Sequence, residues 1–308
     1  MVEPLVIRHV RGTRSSGFTI TEILLASTVL VMIFALIAPG LLRSRQAARR
    51  TECLNKLYQL GMAVQNYEHT MSCLPPGCVN KSGPIPNVAE GYHLGWTYQI
   101  LPYIDQIGLY DAVNANGGAY GMSASGHSTQ VPATFLCPSA PTDSPLPLSS
   151  YAGCIGGTTR QIDTDNTGLL YLNSSIRDEE IEDGRSNTFL AGEVRFSATL
   201  ASAGLHWMTG TATTLRSSGV RLNATDDSTH EFESFDAGGF GSQHEGHVAF
   251  LIADGSARFV SPDTETDVLT ILGDRADGQM LPATIDEAWR RTQNLQKLET
   301  VMQKMESP

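Results

Sequence analysis

The chain has 308 residues and a formal net charge of −11 at pH 7, with 21 Lys plus Arg against 32 Asp plus Glu. That balance argues against a nucleic-acid binder, which needs clustered cations to meet a phosphate backbone. Charge is also uneven: residues 1–50 carry seven Arg and two Glu, net +5, which leaves −16 for the remainder. The length suits a membrane-associated helix plus one sizeable globular domain, or two small ones.

A leader with Arg8, Arg11 and Arg14 precedes Ser16-Gly17-Phe18-Thr19-Ile20-Thr21-Glu22 and an apolar run to Leu42. Between Phe18 and Leu42 the only charged residue is Glu22. As a helix, such a run extends roughly 38 Å, enough to cross a hydrocarbon core. A carboxylate inside it is costly in lipid and points to a function. Pro39 lacks an N–H and clashes with the preceding turn, so a kink is expected there. Arg43, Arg45, Arg49 and Arg50 follow, so basic residues flank both ends and the positive-inside rule alone does not orient the segment. An ordinary secretory signal fits poorly, because Ile37-Ala38-Pro39-Gly40 is a weak cleavage site and Glu22 interrupts the core. A plain anchor explains neither Gly17 before Phe18 nor the place of Glu22.

Helical periodicity continues from Leu41 to Met71, with Leu54, Leu57, Tyr58, Leu60, Met62, Val64 and Tyr67 at three- and four-residue spacings. That predicts one buried stripe, ending by Leu74-Pro75-Pro76-Gly77. Residues 72–235 are punctuated by Gly, Pro, Ser, Thr, Asn and Asp, and predict loops and short strands, with one short helix within Trp96–Tyr110. Five cysteines leave at least one thiol over in an oxidising compartment. Their pairing stays open: Cys73 with Cys78 could close a small loop, and Cys137 with Cys154 or Cys53 is equally arguable. No pair has zinc-ribbon spacing, so no metal site is expected among them.

Val248–Ala253 predicts a central strand, and Asp254-Gly255 predicts a hairpin turn of the tight I′ type. His244 and Asp254 would then lie at opposite ends of one strand, roughly 30 Å apart, too far to share a substrate. His244 is expected to bond backbone near the hairpin base and Asp254 to shape the turn. Asp163-Thr164-Asp165-Asn166 offers oxygen ligands, but lacks the glycine and distal glutamate of an EF-hand loop, so Asp163 and Asp165 are weak calcium candidates beside an Asx-rich turn. No phosphate loop or nucleophile elbow is present, and no catalytic residues or cofactor are assigned. Past this region, Thr284 to Glu287 has capping-box spacing before an amphipathic stripe, which predicts a C-terminal helix.

Gly17-Phe18-Thr19-Ile20-Thr21-Glu22 with the following apolar helix resembles the class III signal of type IV prepilins and type II secretion pseudopilins. The resemblance implies cleavage between Gly17 and Phe18 by a prepilin peptidase and N-methylation of Phe18. It places Glu22 and Pro39 at positions used in subunit assembly, and the body outside the cytoplasm. A second resemblance is carried by Arg50 to Leu57, Leu60-Gly61, Asn66-Tyr67, Leu74 to Gly77, Gly95-Trp96, Ile100 to Gln106, Phe135-Leu136-Cys137-Pro138-Ser139, Ser150 to Gly153, Asp183 to Thr188 and Gly192-Glu193. With His244, Asp254 and Gly255 these resemble a large bacterial family. Its members join a prepilin-type N-terminus to a domain of unknown function ending in a His-X9-Asp-Gly signature. Arg185 departs from the small residue many relatives have there.

The expected fold is therefore α+β and pilin-like: a leader (1–17), a membrane-spanning and assembling half-helix (18–42), a domain-packed half (43–72), a β-rich domain (73–282) and an amphipathic C-terminal helix (283–308). The expected role is a non-enzymatic structural subunit or minor pseudopilin of a type II secretion or type IV pilus-like assembly. Its partners would be a prepilin peptidase, other pilin-like subunits and the inner membrane, crossed once, with the domain in the periplasm or at the cell surface. The competing reading is a membrane-anchored module that binds extracellular polymer or protein.

Overall fold

Helix α1 spans Ile20–Met71 in a computed structural model that describes residues 19–112, 117–121, 130–140, 147–159, 161–223 and 234–279, without the side chains of residues 36–43 and 198. The chain divides into two compact units, residues 1–48 and 49–308.

In the first unit, α1 starts with a capping box. The Thr19 N–H donates to Glu22 Oε2 at 2.9 Å, and the Glu22 N–H donates to Thr19 Oγ1 at 3.4 Å. Two of the N–H groups that a helix start leaves orphaned are thereby satisfied. Ser27 and Thr28 turn their hydroxyls back onto the carbonyls of Leu24 and Leu25, which removes their need for outside partners. The large apolar side chains between Ile20 and Phe34 are exposed. Among the described residues, no helix is long and apolar enough to cross a membrane. The apolar stretch with described side chains, Thr19–Ala35, has 17 residues and includes two Thr, one Ser, a third Thr and a Glu; it extends only about 26 Å. The expected membrane-spanning half is thus not found there. Gly17 and Phe18 lie outside the described residues. The helix runs through Pro39, whose side chain also lies outside them.

In the second unit, α1 buries Cys53, Leu57, Leu60, Ala63 and Val64. The stripe is narrower than its apolar residues suggest: Tyr58 and Met62 are exposed. Met62 follows Leu57 by five residues, about 140° round the helix, so it cannot share that face. The stripe packs on a five-stranded mixed sheet of order β5-β3-β4-β6-β7, built from β3 (Tyr151–Cys154), β4 (Phe189–Glu193), β5 (Leu215–Arg216), β6 (Val248–Ile252) and β7 (Ala257–Val260). Only β3 and β5 run parallel. A separate two-stranded ladder joins β1 (Cys78–Val79) and β2 (Leu94–Gly95).

Strand β6 shows why this sheet lacks hydrophobic–polar alternation. Ala249 and Leu251 face the core shared with α1, while Val248, Phe250 and Ile252 face a second core. Helix α5 (Thr266–Gly273) closes that second core with Val268, Leu269 and Leu272. A strand covered on both faces and paired on both edges reads as a continuous apolar run. The central position expected for it is observed, with β4 and β7 as its neighbours.

The hairpin turn differs from expectation. The Gly255 N–H donates to the Ile252 carbonyl at 2.9 Å and the Ile252 N–H to the Ser256 carbonyl at 2.8 Å. Gly255 has φ +84°, whereas Asp254 is not at positive φ. This is a three-residue loop, a turn followed by a left-handed glycine, and not the two-residue I′ turn. Trp96–Tyr110 also divides, into α2 (Trp96–Gln99), a 3-10 turn (Leu101–Ile104) and α3 (Ile107–Ala112). Pro102 and the left-handed Asp105 break the stretch. Helix α4 (Ala198–Ser202) is capped by Ser197, which accepts from the Leu200 N–H. The domain is mixed α/β and sheet-rich, with short strands and long connections in place of extended β-structure. Thr284 and the expected C-terminal helix, residues 283–308, lie outside the described residues.

A buried cysteine–glutamate–histidine cluster

Four segments far apart in sequence meet beneath α1. The helix contributes Cys53 from its buried stripe. A 3-10 turn at Ala133–Phe135 leads to Cys137, whose N–H donates to Ser150 Oγ at 2.9 Å. Lys56 ties that turn to the helix by donating to the Leu136 carbonyl at 2.7 Å. Cys53 and Cys137 form a disulfide with Cα atoms 5.5 Å apart, while Cys73, Cys78 and Cys154 are free thiols. The small Cys73–Cys78 loop is not made: Cys78 is buried in β1, and Cys73 lies two residues past the end of α1.

Glu193 ends β4, opposite Tyr151 of β3. Its Oε2 accepts from the Ala249 N–H of β6 at 2.9 Å. Its Oε1 has no hydrogen-bond partner among the described residues, although the side chain is 3% exposed. His244 lies in the loop before β6, with its N–H donating to Ser242 Oγ at 3.0 Å. Its Nε2 stands 3.1 Å from Cys53 Sγ, 3.3 Å from Cys137 Sγ and 3.7 Å from Glu193 Oε1. The other ring nitrogen, Nδ1, faces Ser139 Oγ at 3.4 Å.

Burial governs the charges. It pushes the Glu193 carboxyl up to about 7, against the Ala249 and Ser242 hydrogen bonds that favour the carboxylate. It also lowers His244, helped by the positive charges of Arg50 and Arg49 and by His247. Burial thus disfavours the charged form of both groups, and the His244–Glu193 contact is not a fixed ion pair. Cys53, Cys137, Glu193 and His244 each offer one ligand atom, all within 4.8 Å of one another and all buried. Among the described residues this is the one group of three or more such side chains placed to hold a metal ion.

The other residues singled out by sequence are placed elsewhere. His244 was expected to bond backbone, yet its ring points at the sulfurs, and only its own N–H serves the loop. Asp254 is a turn residue, as expected: its Oδ1 accepts from the Ser256 N–H at 2.8 Å and Oδ2 lies 3.8 Å from Arg258. Its carbonyl accepts from Gln65 of α1 at 3.1 Å. His244 and Asp254 flank β6 and are not brought together. Asp163 caps its own turn, with Oδ1 accepting from the Thr164 N–H at 2.7 Å, and Asp165 is exposed. Neither belongs to the metal-capable group.

Sequence spacing missed the cluster because helix, loop, strand and loop each supply one ligand. A signal was present, since each ligand lies in a different one of the short segments that carry the family resemblance. The family model for "Protein of unknown function (DUF1559)" matches residues 43–267. The chain belongs to the DUF1559 family. The matched span holds all four cluster residues and all five strands of the sheet. No curated protein and no solved structure matches the chain.

Proposed function

We propose that this DUF1559 protein is a structural subunit or minor pseudopilin of a type II secretion or type IV pilus-like assembly at the inner membrane. In this reading a prepilin peptidase cuts between Gly17 and Phe18 and the domain stands outside the cytoplasm. The observation that carries it is the first part of α1, where Ile20 is 78% exposed, Leu25 70% and Met32 70%. Apolar surface on that scale is covered in a working protein. Lipid and like helices of neighbouring subunits are the covers a pilin-type assembly supplies.

The Thr19–Glu22 capping box sharpens the test. Glu22 has a local role in its own helix as well as the assembly role proposed here, and Gln can serve in a capping box where Ala cannot. Glu22→Gln keeps the cap and removes the charge. Coexpression with the peptidase should yield a chain beginning at N-methyl-Phe18 by mass spectrometry. Cross-linking in membranes should find oligomers for wild type and few for either Glu22→Gln or Glu22→Ala. Oligomers retained by Glu22→Gln would reduce Glu22 to a cap, and a chain still beginning at Met1 would remove the prepilin assignment.

A further inference from the structure

We propose that Cys53, Cys137, His244 and Glu193 form a zinc-type transition-metal site, closed by the Cys53–Cys137 disulfide and opened by its reduction. Two buried atoms already face the sulfurs. Glu193 Oε1 has no hydrogen-bond partner among the described residues and lies 3.7 Å from His244 Nε2, which itself meets both sulfurs. Leaving such a group unsatisfied is costly, and a coordinated cation removes that cost.

The distances suit a tetrahedral ion. Ligand bonds of about 2.3 Å to sulfur and about 2.0–2.1 Å to nitrogen and oxygen put nitrogen roughly 3.5 Å from each sulfur and roughly 3.3 Å from the oxygen. The observed separations are 3.1, 3.3 and 3.7 Å. The sulfurs must also part, to about 3.8 Å, which a side-chain rotation supplies once the bond is broken. Ser139 at Nδ1 is placed to accept the ring N–H, which leaves Nε2 as the bare lone pair a metal needs. Two thiolates, one imidazole and one carboxylate select zinc or cobalt over magnesium or calcium. The resulting excess negative charge faces Arg49 and Arg50, whose fields already reach His244.

A dithiol gives two electrons and two protons to the disulfide, becomes oxidised itself, and leaves two Cys thiols. The metal ion then displaces both thiol protons, and a third from Glu193 where that carboxyl is protonated. Thiols are the state of a newly made chain before it reaches an oxidising compartment, so the ion and the disulfide are alternative occupants of one place.

The test uses the full-length chain in mild detergent, reduced anaerobically with a dithiol, freed of it, and titrated with Co2+ and then Zn2+. The expected result is one Co2+ per chain with thiolate-to-cobalt absorption and the visible bands of a tetrahedral ion, displaced by Zn2+. The oxidised chain should show none of these. His244→Ala and Glu193→Gln should each weaken binding at least ~10-fold, the loss that even an outer-shell partner causes. Circular dichroism checks that each variant is folded; Glu193→Gln is isosteric and carries the test if His244→Ala is not. Reduced chain without the cobalt bands, equal binding by oxidised chain, or unchanged affinity in a folded variant would each overturn the site.

Discussion

His206 is held neutral by two contacts that require opposite roles of its ring nitrogens. Nε2 donates to the Ala119 carbonyl at 3.1 Å, and Nδ1 accepts from the Met208 N–H at 3.4 Å. Protonation would set a new N–H against that of Met208. Burial lowers its pKa to about 4, against the Ala119 bond that favours the cation. His93, whose Nδ1 is 3.1 Å from the Tyr120 hydroxyl, is lowered to about 4 by burial as well. Between pH 6.5 and about 4 the unfolded chain binds more protons at these sites than the folded one. Their stability is therefore complete above pH 6.5 and is lost as pH falls through 4. Urea unfolding across that window should show His206→Gln losing less stability than wild type, by roughly 1–3 kcal/mol. Equal slopes would mean that His206 is not what titrates. Gly255 makes a second residue-scale case. At φ +84°, Gly255→Ala should cost about 1–2 kcal/mol in the same measurement. A glycine was legible there from the Asp-Gly pair, but the turn type was not, because the register of the flanking strands sets the loop length.

At the scale of elements, Arg185 clamps the end of α1 to the β6–β7 hairpin. Its guanidinium binds Glu68 of α1 and Asp178, and Nη1 donates to the Ala253 carbonyl at 3.3 Å. Glu68 and Arg185 are both largely buried, at 17% and 25% exposure, so this pair is shielded from solvent more than a surface ion pair is. Arg185→Ala should cost about 2 kcal/mol by denaturant melting, and Arg185→Lys should recover part of it, since a single ammonium cannot reach three acceptors in the guanidinium's fork. A loss below ~0.5 kcal/mol would make the clamp ornamental. The sequence marks Arg185 only as a departure from a small residue. Asp178 is seven positions away, but Glu68 and Ala253 lie 117 and 68 positions away, beyond any local pattern. The α1 stripe, by contrast, was legible from its spacing, apart from Tyr58 and Met62, because a helix's period fixes which residues share a face.

For the whole molecule, both cores and every strand of the sheet come from residues after Ala48, where the second compact unit begins. A chain of residues 49–308 should therefore melt cooperatively by calorimetry, and should be more soluble than the full chain because it lacks the exposed apolar residues of Ile20–Phe34. A broad, non-cooperative melt would mean that the first 48 residues complete the fold. By itself the sequence determined the extent of α1's amphipathic half, the apolar run of β6 and the hairpin at Asp254-Gly255. Each is written in contiguous residues whose period or composition has one physical reading. Tertiary structure alone decided that Cys53 pairs with Cys137, that β5 joins parallel to β3, and that His244 turns from its own loop to meet Glu193 and both sulfurs. Those contacts join residues 51 to 191 positions apart. They exist because burying two faces of one sheet draws a helix, two loops and a strand end to the same point, which no local spacing encodes.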